Sequence, residues 1–246
     1  MSFIISLIAG LSTIIGALLI FFKPKNINKF IGFSLSFSGS MMIFISLFEL
    51  IPDGFYYLIY NYSITKAIIL LSLMFILGSI LITFINKIIV KRVGESSNSN
   101  LYKVGILSMI ALMLHNMPEG ILTFLSTTVD IKLGVKLALT ISLHNIPEGI
   151  SIAVPLYYST RSKIKALSYT LWSGLAEPLG AFLAYILLYK FINKTMISLI
   201  LIFVAGIMIS ISINEIFEES KKYSYKSIIY GFIIALILTI ITSLFL

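Results

Sequence analysis

Eight runs of mostly apolar residues, at roughly 3–22, 30–51, 66–88, 103–126, 133–157, 164–189, 196–217 and 226–245, leave little sequence between them. Each is close to the length a helix needs to cross the hydrocarbon core, about 20 residues. Such runs dictate an all-α polytopic membrane protein of eight transmembrane helices. Composition agrees: 59% of the residues are hydrophobic and 11% charged, against about 25% charged in soluble domains. Too few polar residues exist to cover a water-soluble surface, so the main partner of the chain is the lipid bilayer. No segment is long enough for a separate soluble unit, and residues 1–246 read as one membrane domain.

The 246 residues contain no cysteine, which excludes disulfides, thiolate metal sites and cysteine nucleophiles. The net charge of +8 is carried by short basic clusters between the apolar runs, so no nucleic-acid partner is implied. Thirteen of the eighteen basic residues fall in alternate loops, including Lys23, Lys87, Lys103, Arg161 and Lys221. The positive-inside rule places these loops in the cytoplasm of a cell membrane and both termini outside. The first run has no basic segment before it and no small-residue cleavage site, so it reads as a span rather than a signal peptide. Gly94 to Asn100 reads as a flexible loop between the third and fourth spans.

Span two carries Met42-Ile43-x-Ile45-Ser46-x-x-Glu49, and span seven carries Met208-Ile209-x-Ile211-Ser212-x-x-Glu215. The two spans run in opposite directions, which is the mark of an inverted repeat with its substrate near the midplane. Chance recurrence in an isoleucine-rich chain is the competing explanation, and the matched glutamate argues against it.

The chemistry lies in spans four and five, which hold His115-Asn116-Met117-Pro118-Glu119-Gly120 and His144-Asn145-Ile146-Pro147-Glu148-Gly149. These are the only histidines in the chain. One five-residue match has a chance probability on the order of 10⁻⁴ at ordinary residue frequencies. Helical geometry puts His and Glu, four apart, on one face with Asn beside them. Pro118 and Pro147 remove the helical partners of the Leu114 and Leu143 carbonyls, so each motif is expected to break or kink its helix. Facing each other, the motifs would assemble two imidazoles, two carboxylates and two amides. Nitrogen and oxygen ligands without sulfur suit Zn²⁺, Fe²⁺, Mn²⁺ or Co²⁺, and two glutamates could bridge a pair of cations. Packing alone is a poor reason for so many polar groups, because each ionisable residue at the bilayer centre costs a few kcal/mol or more, roughly.

Span six adds Ser173-Gly174-Leu175-Ala176-Glu177-Pro178-Leu179-Gly180, and Glu177 reads as a further carboxylate of the same site. Glu49, near the outer end of span two, and Glu215, near the inner end of span seven, read either as residues of the transport path or as solvated interfacial acids. Asp53, Glu218 and Glu219 read as loop charges. The many Phe and Tyr residues read as lipid-facing and interfacial packing.

In these motifs, with its eight spans and outward termini, the chain resembles the ZIP family of divalent metal-ion transporters, in particular its bacterial ZupT-like branch. The resemblance covers essentially the whole chain. It implies a 3+2+3 bundle in which spans one to three and six to eight form an inverted repeat around spans four and five. It further implies uptake of zinc and related divalent ions (Fe, Mn, Co, Cd) into the cytoplasm. The bound metal is then substrate, with no catalytic cofactor. One ion would be held by His115, Glu119, His144 and Glu148, and a second by Asn116, Glu119, Asn145, Glu148 and Glu177, the two motif glutamates bridging. A homodimer is the assembly the resemblance allows. Many relatives carry a histidine-rich loop between spans three and four; this chain has Glu95 and no histidine there.

Two other functions use the same ligands. An intramembrane metal-dependent hydrolase would need an open ligand position and a separate base, and the His-Glu-x-x-His signature is absent. A metal exporter differs only in direction, which residues do not show.

Overall fold

A bilayer offers backbone groups no water to bond, so each span must satisfy its own amides and carbonyls, and only helices do this one segment at a time. The computed structural model describes residues 1–93, 97–129, 131–188 and 194–245, and among them it contains helices and no strand. The eight helices are α1 (Ser2–Ala17, ending in a 3-10 turn at Leu18–Phe21), α2 (Ile27–Ile45, a π-turn at Ser46–Leu50, then Ile51–Asn61) and α3 (Ile64–Val93). They continue with α4 (Ser97–Val129), α5 (Ile131–Thr160) and α6 (Lys163–Leu183, with a π-turn at Ala184–Leu188). The last two are α7 (Lys194–Ile211, a π-turn at Ser212–Phe217, then Glu218–Ser220) and α8 (Tyr225–Phe245). Six of them are long and apolar enough by themselves to cross a membrane. α8 adds a shorter apolar stretch, Tyr225–Ile241, and α6 carries Glu177 in its interior. Large apolar side chains such as Ile8, Ile69, Phe84 and Trp172 point away from the core, as lipid requires.

Four sequence-based expectations change. α2 runs ten residues past its expected end, because Pro52 sits in the first turn after the π-turn, where a missing amide proton costs little. Asp53 is therefore helical, as are Glu218 and Glu219, and Glu219 is buried; none of the three is a loop charge. Of the expected loop at Gly94–Asn100, the part from Ser97 on is helical and begins α4, while 94–96, with Glu95, lie outside the described residues. Nor do the prolines break their helices. α4, α5 and α6 continue through Pro118, Pro147 and Pro178, each losing one intrahelical bond while its neighbours hold the turn.

The packing has an internal two-fold logic. Exchanging α1–α3 with α6–α8, and α4 with α5, turns the set of principal packing pairs into itself: α1·α5 becomes α6·α4, α2·α8 becomes α7·α3, and α2·α5 becomes α7·α4. Residue detail follows the same exchange. Ser198 Oγ donates to the Gly54 carbonyl, and Ser220 Oγ donates to the Gly32 carbonyl, the same bond drawn from each repeat. Both copies of the Met-Ile-x-Ile-Ser-x-x-Glu pattern enter a π-turn at their serine, Ser46 and Ser212. The repeat read in the sequence is thus a repeat of backbone and of hydrogen bonds.

Glycines divide the bundle into two groups. A Cβ at Gly10 would stand 2.2 Å from the Gly174 carbonyl oxygen, at Gly16 2.0 Å from that of Ile146, and at Gly149 1.9 Å from that of Thr13. At Gly120 it would stand 1.8 Å from the Glu177 oxygen, and at Gly180 2.0 Å from that of Met117. Backbone therefore touches backbone among α1, α4, α5 and α6. In the other group, Gly78 meets Phe203, Gly206 meets Phe75, and Gly231 meets Phe33 and Phe37, so α3 lies against α7 and α8 against α2. The two groups meet along α2·α5 and α4·α7, where side chains lie between the backbones.

Candidate metal centre

The backbone contacts among α1, α4, α5 and α6 draw the polar faces of the two motifs together. His115, Asn116, Glu119, His144, Asn145, Glu148 and Glu177 are all buried, the most exposed being His144 at 8%. His144 Nε2 lies 2.7 Å from Glu119 Oε1, and His115 Nε2 lies 3.1 Å from the same oxygen. Glu148 Oε1 is 3.4 Å from His115 Nε2. The donor atoms of His115, Glu119 and His144 all fall within 4.8 Å of one another, and the two imidazole rings are 6.2 Å apart.

Each amide is anchored by one proton given to a backbone carbonyl of a neighbouring helix. Asn116 Nδ2 donates to the Ser173 carbonyl at 3.1 Å, and Asn145 Nδ2 to the Ala9 carbonyl at 3.0 Å. These bonds are again images of one another in the two repeats. Asn145 also donates to Glu177 Oε2 at 3.2 Å. What remains inside is an excess of acceptors: Asn116 Oδ1, Asn145 Oδ1, Glu119 Oε2, both oxygens of Glu148 and Glu177 Oε1 are buried without a hydrogen-bond partner. Among the described residues no lysine or arginine pairs with these three glutamates. Buried acceptors and carboxylates left this way are costly, and a divalent cation answers both the charge and the lone pairs.

All seven residues expected at the site are buried: His115, Glu119, His144 and Glu148 meet directly, Asn145 meets Glu177, and Asn116 is tied to the α6 backbone. Glu49 and Glu215 are not part of the cluster. Glu49 lines a cavity of about 370 Å³ between α2, α5 and α8 that reaches His144. Glu215 lines one of about 240 Å³ between α3, α4 and α7, together with Asn86, Ser210 and Asn214. Since Glu49 and Glu215 exchange in the repeat, the two cavities are counterparts at opposite ends of the site. Only the Glu49 cavity has one of the two histidines in its lining.

Sequence reasoning missed Lys103, which it counted among loop charges. It lies within α4 and pairs with Glu215 at 2.8 Å. It also missed Thr13, which the exchange places opposite Glu177. Gly10-x-x-Thr13-x-x-Gly16 repeats the spacing of Gly174-x-x-Glu177-x-x-Gly180, so that signal was present. A threonine, its hydroxyl bonded back to the Gly10 carbonyl, stands in one repeat where a carboxylate stands in the other.

Residues 92–241 match the sequence model of the ZIP zinc transporter family. A zinc transporter ZupT of Oceanobacillus iheyensis is 38% identical, with 100% of this chain and 98% of that protein covered. Its namesake in Streptococcus mutans is 37% identical over 99% of this chain and 96% of that protein. The Clostridium perfringens one is 34% identical over 99% and 95%. Seven buried ligand-type side chains at the heart of an inverted-repeat membrane bundle, together with relatives aligned end to end, lead to one assignment: this chain belongs to the ZIP zinc transporter family.

Proposed function

We propose that the protein takes up zinc, and with it related divalent ions such as Fe²⁺, Mn²⁺, Co²⁺ and Cd²⁺, through a two-ion site formed by α4, α5 and α6. The observation that carries this reading is the set of buried acceptor atoms without partners around His115, Glu119, His144 and Glu148. One ion sits among His115, Glu119, His144 and Glu148. The second sits among Asn116, Glu119, Asn145, Glu148 and Glu177, with Glu119 and Glu148 shared. Glu49 lies on the entry side and Glu215 on the exit side, with both termini outside and flux directed to the cytoplasm. Mixed nitrogen and oxygen donors favour zinc, while the carboxylates and amides keep harder ions within range.

Vesicles containing the purified protein, offered a panel of divalent ions, test this reading. Zinc is expected to enter, and His115→Ala and His144→Ala are expected to reduce zinc uptake more than manganese uptake. Equal losses for both metals would remove the histidines as selectivity ligands. Turnover of a substrate in detergent without ion flux in vesicles would replace transport by metal-dependent hydrolysis.

A further inference from the structure

We propose that Glu215 and Asn86 form a second cation station on the transport path and that the Lys103 ammonium is its resident ion, displaced by each metal ion that passes. This rests on the transport reading above. The Lys103 side chain reaches from α4 to put Nζ 2.8 Å from Glu215 Oε2, with the two side chains 18% and 11% exposed. Glu215 Oε1 accepts from Asn86 Nδ2, and Asn86 Oδ1 is left buried with no partner. Thr83, Ser210 and Asn214 complete the polar wall of the cavity. At about 240 Å³ it has room for an ion with several waters at about 30 Å³ each.

The chemistry of this pocket is that of a passing station. A carboxylate, an amide oxygen and hydroxyls, without imidazole, hold a hydrated divalent ion weakly. A transport path needs ions that leave as readily as they enter. Lys103 precedes His115 by roughly three helical turns, about 18 Å along α4, and the cavity lining includes none of the residues of the donor cluster.

The repeat sharpens the inference. Glu49 is the counterpart of Glu215, and among the described residues no ion pair neutralises it; its cavity reaches His144. At the Glu215 end the lysine takes the carboxylate, and the cavity lining includes Leu107 rather than His115. The ion pair also joins α4 to α7, across the seam where the two backbone-packed groups meet. A tethered cation there holds the seam shut until a metal ion competes for the same oxygen.

Counting bound zinc tests the station directly. Lys103→Met keeps the length of the side chain and removes its charge, and purified protein equilibrated with zinc is expected to hold one further ion per chain than the parent. Adding Glu215→Gln to that variant should remove the extra ion, and Lys103→Arg should show the parent's count. A folded Lys103→Met protein with an unchanged count would overturn the proposal and leave the ion pair as a structural tie. Should Lys103→Met not fold, Asn86→Asp supplies the same reading, because a second carboxylate should retain an ion beside the lysine; an unchanged count there is equally fatal. Parent protein that carries no zinc into vesicles would instead sink the transport reading itself, so the two failures are separable.

Discussion

An asparagine buried in a membrane helix has two protons and one oxygen to place, and Asn116 and Asn145 share one anchor while Asn145 adds a bond to Glu177. Each sends a proton to a backbone carbonyl and keeps its oxygen buried without a partner. Net membrane hydrogen bonds are worth well under about 2 kcal/mol, so these anchors matter more for aim than for stability. The ligand assignment separates by substitution. Glu119→Ala or Glu148→Ala should abolish uptake and bound metal together, since each is proposed above to serve both positions. Glu177→Gln, which keeps shape and an acceptor oxygen, should retain about one zinc per chain, in keeping with a four-ligand site, and change only rate or selectivity. Elemental analysis beside vesicle flux checks both; loss of all metal in Glu177→Gln would mean a single shared site. The seven buried polar residues were legible in the sequence as candidates because motif, spacing and duplication all marked them. Lys103 was not, since its partner Glu215 is distant in sequence and a lysine near a helix end reads as a loop charge.

At the scale of the helix, close approach depends on which atoms meet. A Cβ at Gly120 would meet the Glu177 backbone oxygen at 1.8 Å, whereas at Gly105 it would meet the Leu156 side chain at 2.6 Å. A side chain can rotate and a backbone cannot without moving its helix. Gly120→Ala should therefore lower stability by about 1–3 kcal/mol and cost metal binding with it, and Gly105→Ala should cost distinctly less. Thermal melting in detergent, with zinc binding measured in parallel, decides; equal penalties would mean that α4 and α6 can part freely. The paired π-turns at Ser46 and Ser212 show what the sequence could and could not carry at this scale. Their shared pattern was visible, but a wider turn depends on how α2 packs on α7. The extension of α2 through Pro52-Asp53-Gly54 was hidden for a related reason: those residues have turn chemistry, and tertiary packing holds them helical.

For the molecule as a whole, orientation is the first thing to measure. With no native cysteine to interfere, a cysteine at Ser162 should be shielded from impermeant thiol reagents in intact cells and one at Asn61 labelled. The reverse pattern would turn the protein over and exchange the roles of Glu49 and Glu215. Span number and connectivity were readable from hydropathy, whereas the division into two packed groups was not, because it depends on glycine contacts between helices far apart in the chain. That division has a consequence for how the protein is made. One group takes α1, α4, α5 and α6, the other α2, α3, α7 and α8, so the chain passes from one to the other three times as it leaves the ribosome. Neither group is complete until the second half has been synthesised. His115, Glu119, His144 and Glu148 thus enter the bilayer before α6 exists to cover them. A chain stopped at Thr160 should be inserted and then degraded, and co-expression of residues 163–246 should rescue it, as pulse-chase labelling would reveal. Survival of the fragment alone would mean that the first five helices suffice to shelter the charges; its rescue would make the arrival of α6 to α8, with Glu177 on the first of them, the step that commits the newborn chain to its fold.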